Sequence, residues 1–373
     1  MTESVYKKLA RHLDNLPAGF PSTESGVELR LLRRLFSPEE AELALKLTLI
    51  PEEPRVVSRR TKLPPEEVAQ RLEEMARKGL IYRIESKEGP PKYMAVHFAI
   101  GIWEFHVNDL DEGLVRDMEE YMPSLLESWK KVPQLRTIPV GRSIPVELKV
   151  MPYEDAEKLV LSQNRFLVAP CICRRERKIA GKGCDRPEEA CLVFGRGVDY
   201  YSRNGLGRVI SKQEALEILL KAERAGLVLQ PSNAQKIVNI CCCCGCCCGV
   251  LRTVKKHPRP ASLISSPFVN SADPSTCDGC GKCVERCQMD AVRLEDERVA
   301  LDTERCIGCG LCVSTCPSGS LTLVRKPEPE QPKVPRNMLE TYYRLGRARG
   351  KMDIVSLAGQ WIRSTKDRVV SGK

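Results

Sequence analysis

The sequence predicts an α+β multidomain chain: an N-terminal domain of helices closed by a hairpin, a central α+β cysteine-rich module, and a C-terminal cysteine-loop domain with a helical tail. Three observations predict it. Helix-period apolar spacing gives way to short strands before residue 100, all 19 cysteines fall between residues 171 and 316, and the run K-P-E-P-E-Q-P-K-V-P isolates the tail. The expected boundaries are 1–102, 103–265, 266–326 and 327–373. At 373 residues the chain can hold such units, each with its own core, and 26 Pro with 25 Gly suit small loop-rich ones.

In the first segment P-E-E-A-E-L-A-L-K-L reads as a helix. P-P-E-E-V-A-Q-R-L-E-E-M-A-R-K-G reads as another, opening at Pro64-Pro65, stopping at Gly79, and carrying Val68, Leu72, Met75 and Ala76 on one face. The strands L-I-Y-R-I and K-Y-M-A-V follow, separated by a turn at Gly89-Pro90-Pro91. Helices followed by a hairpin resemble a winged helix-turn-helix domain. Its recognition-helix equivalent carries Glu66, Glu67, Glu73 and Glu74 against Arg71, Arg77 and Lys78, which phosphates would repel. Protein docking is the expected role, with DNA binding kept as the alternative by Arg55, Arg59, Arg60 and Lys62.

Residues 103–170 read as scaffold: a helix in D-E-G-L-V-R-D-M-E-E-Y-M-P-S-L-L-E-S-W, strands in R-T-I-P-V-G-R-S-I-P-V-E-L-K-V, and a helix in P-Y-E-D-A-E-K-L-V. Eleven cysteines follow. Cys171, Cys173, Cys184 and Cys191 come first, beside Arg174, Arg175, Arg177, Lys178 and Lys182. Cys241, Cys242, Cys243, Cys244, Cys246, Cys247 and Cys248 form the run N-I-C-C-C-C-G-C-C-C-G. Between them S-K-Q-E-A-L-E-I-L-L-K-A-E-R-A-G predicts a helix with a Ser211/Glu214 capping box and a Gly226 stop. Reduced thiols, zinc and further iron–sulfur clusters compete for this module. Soft thiolates favour one or two additional clusters, and neither C-x-C nor C-C-C-C looks like the C-x2-C knuckle of a zinc site.

Two stretches then repeat, C-D-G-C-G-K-C-V-E-R-C-Q at 277–288 and C-I-G-C-G-L-C-V-S-T-C-P at 306–317. Both have the spacing C-x2-C-x2-C-x3-C, and Gly279, Gly281, Gly308 and Gly310 allow each loop to curl around a metal group. The segment resembles a bacterial two-[4Fe–4S] ferredoxin. The resemblance implies two [4Fe–4S] clusters with crossed fourth ligands: Cys277, Cys280, Cys283 and Cys316 on one, and Cys306, Cys309, Cys312 and Cys287 on the other. Gln288 departs from the family's proline, which Pro317 retains. A-V-R-L-E-D-E-R-V-A-L reads as a hairpin and S-L-T-L-V-R as a closing strand.

C-I-C-R, the cysteine run and the two repeats together resemble multi-cluster ferredoxin-like proteins of anaerobic bacteria. In that pattern position 242 is commonly polar, so Cys242 is set apart from the expected ligands Cys171, Cys173, Cys184, Cys191, Cys241, Cys243, Cys244, Cys246, Cys247 and Cys248. The arrangement C-C-G-C-C also resembles the C-C-G motif of heterodisulfide-reductase-like subunits. In the tail, Ile354, Leu357, Ala358, Trp361 and Ile362 share a face expected to dock on the chain's own core or, with Arg363, Lys366 and Arg368, on a partner.

The net charge of +10 is weak evidence for nucleic acid, because residues 325–373 hold 12 Lys/Arg against 5 Asp/Glu while the rest nearly balances. M-T-E-S-V-Y-K-K-L-A-R lacks the apolar core of a secretory signal and no apolar run spans a membrane, so a cytoplasmic location is expected. There abundant cysteine reads as metal binding. No nucleotide or haem motif occurs, and the four histidines lack metal spacing. The expected function is a single-electron relay to flavin- or metal-containing oxidoreductase subunits. A redox-sensing regulator and a catalytic subunit working at residues 171–248 are the alternatives.

Overall fold

The computed structural model describes residues 4–86, 89–352 and 354–371. They form two compact units: Met1–Val132 with Asp199–Leu206 and Tyr342–Lys373, and Pro133–Val198 with Gly207–Thr341.

The first unit is mainly helical. Ser37 caps Pro38–Ala44 with a reciprocal box: its hydroxyl accepts the Glu40 N–H at 3.2 Å, and the Glu40 carboxylate accepts the Ser37 N–H at 2.8 Å. Pro65–Arg77 buries Val68, Leu72, Met75 and Ala76, the face that its spacing predicts. Strands β1 (Tyr82–Ile84) and β2 (Lys92–Met94) pair antiparallel after it. Tyr200 arrives from a distant part of the sequence, stacks on Tyr82 and donates to the carbonyls of Ala76 and Ile81. The helix expected after residue 110 runs Glu112–Glu127, capped by Asp111, whose carboxylate accepts the Leu114 N–H. The terminal helix Ile354–Ser371 is held by an Asp367–Arg60 ion pair at 2.7 Å. Trp361 and Ile362 stay 65% and 63% exposed, so this part of the expected docking face is not covered; the side chains of Ile354, Leu357 and Ala358 lie outside the described residues.

The second unit is built on a five-stranded antiparallel sheet: β3 (Phe166–Pro170), β4 (Glu189–Phe194), β5 (Arg208–Ile210), β6 (Val228–Pro231) and β7 (Asn239–Cys243), in the order β5-β3-β4-β7-β6. The helix Lys212–Arg224 covers one face with Ala215, Ile218, Leu219 and Ala222. Ser211 caps it, but Glu214 does not complete the expected box; its carboxylate pairs with Arg208 at 2.6 Å. The strands expected around residues 136–150 do not form. Arg136 and Ile138 make isolated bridges to Ser265 and Leu229, because Pro139 and Pro145 have no N–H with which to extend a ladder.

Beyond the sheet, β8 (Phe268–Ala272) pairs with β11 (Leu321–Arg325), and β9 (Val292–Glu295) with β10 (Arg298–Leu301), all antiparallel. The latter is the expected hairpin. Asp296 and Glu297 turn it with φ of 45° and 58°, both left-handed, as a two-residue turn between right-twisted strands requires. The expected Pro-rich linker is strapped to this unit by the N–H groups of Gln235 and Lys236, which donate to the carbonyls of Pro335 and Arg336.

Candidate metal centres

The duplicated loops gather their sulfurs against the small sheets. Cys287, Cys306, Cys309 and Cys312 line one cavity with Asn270, Gln288 and Leu311. Cys277 and Cys283 share a small core with Cys312, against which Cys287 and Cys316 pack, while Cys280 is exposed. The backbone donates to these sulfurs: Ala291 N–H to Cys287 Sγ at 3.1 Å, and Asn270 N–H to Cys306 Sγ at 3.4 Å. The Asn270 side-chain amide donates to Cys312 Sγ at 3.0 Å. Burial pushes the Cys309 thiol up to about 12, and the nearby Cys287 and Cys306 add to that. Such crowding disfavours bare thiolates, and a bound cation would offset the charge that makes them unfavourable. Gly279, Gly281, Gly308 and Gly310 all have positive φ, and a side chain on Gly308 would also strike the Phe268 carbonyl. Curled loops, inward sulfurs and N–H donors aimed at sulfur fit a thiolate-bound cluster.

Residues 271–323 match the family model of the 4Fe-4S dicluster domain. This segment is a 4Fe-4S dicluster domain. The chain matches no curated protein and no solved structure.

The remaining eleven cysteines gather beside the dicluster domain in the same unit. In β7 side chains alternate, so Cys241 and Cys243 face one way and Cys242 the other. Cys241 sits opposite Cys191 of β4 and hydrogen-bonds to it and to Cys243; Cys248 contacts Cys243 and Cys173, and Cys173 contacts Cys171. Six thiols thus form one chain of sulfur contacts. Cys184, Cys244, Cys246 and Cys247 form a second group, with all four sulfurs within 4.8 Å of one another. Cys242 joins neither by a sulfur contact. It is 1% exposed in the apolar core, and burial pushes its thiol up to about 12.

Of the five cations near the first cysteines, Arg174 turns inward and is fully buried. Its Nη2 donates to the Cys242 carbonyl at 2.8 Å and reaches Cys244 Sγ at 3.8 Å. Its Nε and Nη1 are buried without a hydrogen-bond partner, so this guanidinium calls for negative charge in the sulfur group. Arg175 and Lys178 instead pair with Glu188, at 2.6 and 2.9 Å. Arg186, outside the expected set, donates to Cys246 Sγ at 3.3 Å. Burial raises the Cys184 thiol pKa, but the Arg186 backbone N–H and bonds from Cys247 and Cys246 outweigh it and hold that thiol at about 6.

Two residues join the sulfur sites. The Gly245 N–H, in the middle of the cysteine run, donates to Gln288 Oε1 at 2.8 Å, and Gln288 directly follows Cys287 in the dicluster domain. A Cβ on Gly245 would collide with the Gln288 carbonyl, so glycine is required by close approach. Proline at 288 has no side-chain acceptor to offer, which gives the departure from the repeat a physical role. Asn270 and Arg186 carry no motif signal in the sequence; Gln288 does, as the one mismatch to the second repeat's proline.

Proposed function

We propose that this chain is an iron–sulfur electron-relay protein or subunit, with two [4Fe–4S] clusters in the dicluster domain and one or two further thiolate-bound centres in the cysteine-rich module. Cys277, Cys280, Cys283 and Cys316 would hold one dicluster centre, and Cys306, Cys309, Cys312 and Cys287 the other. The cavity lined by the latter four supports that crossed assignment. Cys171, Cys173, Cys184, Cys191, Cys241, Cys243, Cys244, Cys246, Cys247 and Cys248 would serve the module. Clusters bound there supply one-electron chemistry.

The observation that carries the relay reading is the Gly245–Gln288 hydrogen bond, which holds the loop bearing Cys244 and Cys246 against Gln288, the residue after Cys287. Sulfur sites joined this closely suit passage of single electrons from one to the next. The partners in this reading are flavin- or metal-containing oxidoreductase subunits in the cytoplasm. Among the described residues no helix is long and apolar enough to cross a membrane.

The helices and hairpin before residue 102 are read as a winged-helix-like docking module. The regulator alternative is disfavoured because the cations of Pro65–Arg77 are engaged by its own carboxylates: Arg71 by Glu67 at 2.6 Å and Arg77 by Glu73 at 3.1 Å. Phosphate contacts would have to break these pairs.

The test is iron and acid-labile sulfide per chain after purification without oxygen. Sulfide of about twelve to sixteen supports the multi-centre relay; about eight confines clusters to the dicluster domain and refutes it.

A further inference from the structure

We propose that Cys184, Cys244, Cys246 and Cys247 form a mononuclear tetrahedral site for one divalent ion, zinc or iron, distinct from every multi-iron cluster of the chain. The inference rests on the relay reading only in assigning four of the module's thiols: iron there would pass an electron, zinc would serve structure alone, and the site stands on its own geometry.

Sulfur separation is the deciding quantity. Four thiolates bound at about 2.3 Å to one ion stand about 3.8 Å apart at the corners of a tetrahedron. The observed separations are 3.5 Å for Cys184–Cys247, 3.8 Å for Cys246–Cys247 and 4.0 Å for Cys184–Cys244, with all four within 4.8 Å. A four-iron cube places each thiolate on a different iron and holds the sulfurs wider apart. The chain supplies its own comparison: among the described residues, neither set of dicluster cysteines closes to within 4.8 Å, whereas this quartet does.

Local sequence and charge agree. Cys244 and Cys247 stand in C-x2-C spacing with Gly245 between them, a knuckle hidden inside the run. Cys184 comes from the loop before β4, so the site joins two segments 60 residues apart. Four thiolates on a divalent ion carry a net charge of about −2. Two guanidiniums reach that charge: Arg186 donates to Cys246 Sγ, and the fully buried Arg174 reaches Cys244 Sγ with its other two nitrogens, Nε and Nη1, unpartnered. Outer hydrogen bonds of this kind orient thiolate ligands and stabilise their charge. The six thiols of the neighbouring group remain available for a separate cluster.

The experiment measures iron, zinc and acid-labile sulfide on the full chain purified without oxygen. Cubane clusters contribute equal iron and sulfide, so the expected result is total metal exceeding sulfide by one per chain. The excess appears as one zinc or as one iron. The double substitution Cys184→Ala/Cys246→Ala is expected to remove that one ion and no sulfide. Metal equal to sulfide in the parent, or loss of sulfide together with iron in the variant, overturns the proposal. If the variant does not fold, cobalt exchanged into the parent decides: thiolate-to-cobalt charge transfer with tetrahedral visible bands is expected, and their absence overturns the site. Sulfide at about eight would remove the further clusters of the relay reading, yet leave the one-ion excess as a separate result.

Discussion

Replacing Gln288 by Leu removes the acceptor that joins the cysteine run to the dicluster domain while keeping side-chain volume. Gln288 is 6% exposed, and the Gly245 N–H that it accepts at 2.8 Å is buried. Leucine therefore strands a buried donor, which costs about 1–3 kcal/mol. The second contact of Gln288, from Nε2 to the Arg286 carbonyl at 3.3 Å, is long and adds little. If the junction opens before the clusters are lost, that energy translates into about a 5- to 150-fold faster irreversible loss of cluster absorbance in moderate denaturant. The assay is anaerobic bleaching at a fixed temperature, followed with parent and variant side by side. Gln288→Glu, which keeps an acceptor, should lie between the two. Bleaching of Gln288→Leu within twofold of the parent would refute the junction as a stabilising contact.

Cys242→Ala should leave iron, zinc and sulfide unchanged, because that side chain faces the apolar core, and should cost about 1 kcal/mol for the small cavity; loss of metal would return Cys242 to the ligand set. Asn270→Ala removes the amide donor to Cys312 Sγ and is expected to lower the potential of the neighbouring centre by on the order of tens of millivolts, since donors to sulfur favour the more negative, reduced state. Protein-film voltammetry reads it, and an unchanged or raised potential contradicts the assignment. His97 is buried, and desolvation, then the charge of Arg349, lowers its pKa from 6.5 to about 3. It stays neutral in the fold while the unfolded chain takes up a proton below 6.5. Its contribution is thus intact above pH 6.5 and falls away between 6.5 and 3, by about 2 kcal/mol at pH 5. Tryptophan fluorescence melts of parent and His97→Phe at pH 7 and pH 5 should show the variant losing less; parallel losses would show that His97 is not the group responsible.

The local grammar was legible from residues alone. The two C-x2-C-x2-C-x3-C repeats with their glycines announced the dicluster segment, because a ligand loop is a short-range object whose turn and spacing are encoded together. The apolar face of Pro65–Arg77, the Ser211 cap and the β9–β10 hairpin were legible for the same reason: each depends on residues within a few positions of one another. Pro139 and Pro145 were a readable signal against strands, since neither has an N–H to give to a ladder. The partition of the seven-cysteine run needed the tertiary structure. Alternation along β7 separates Cys242 from Cys241 and Cys243, and the loop after it carries Cys244, Cys246 and Cys247 to Cys184 rather than to the six-thiol group. Spacing along the chain cannot say this, since each cysteine in the run has thiol neighbours at more than one short offset. Arg174 read as one cation among five, and only packing buried it among the sulfurs. Gln288 was visible as a departure, but its partner lies 43 residues away, and a hydrogen bond between distant segments exists only once the fold has brought them together.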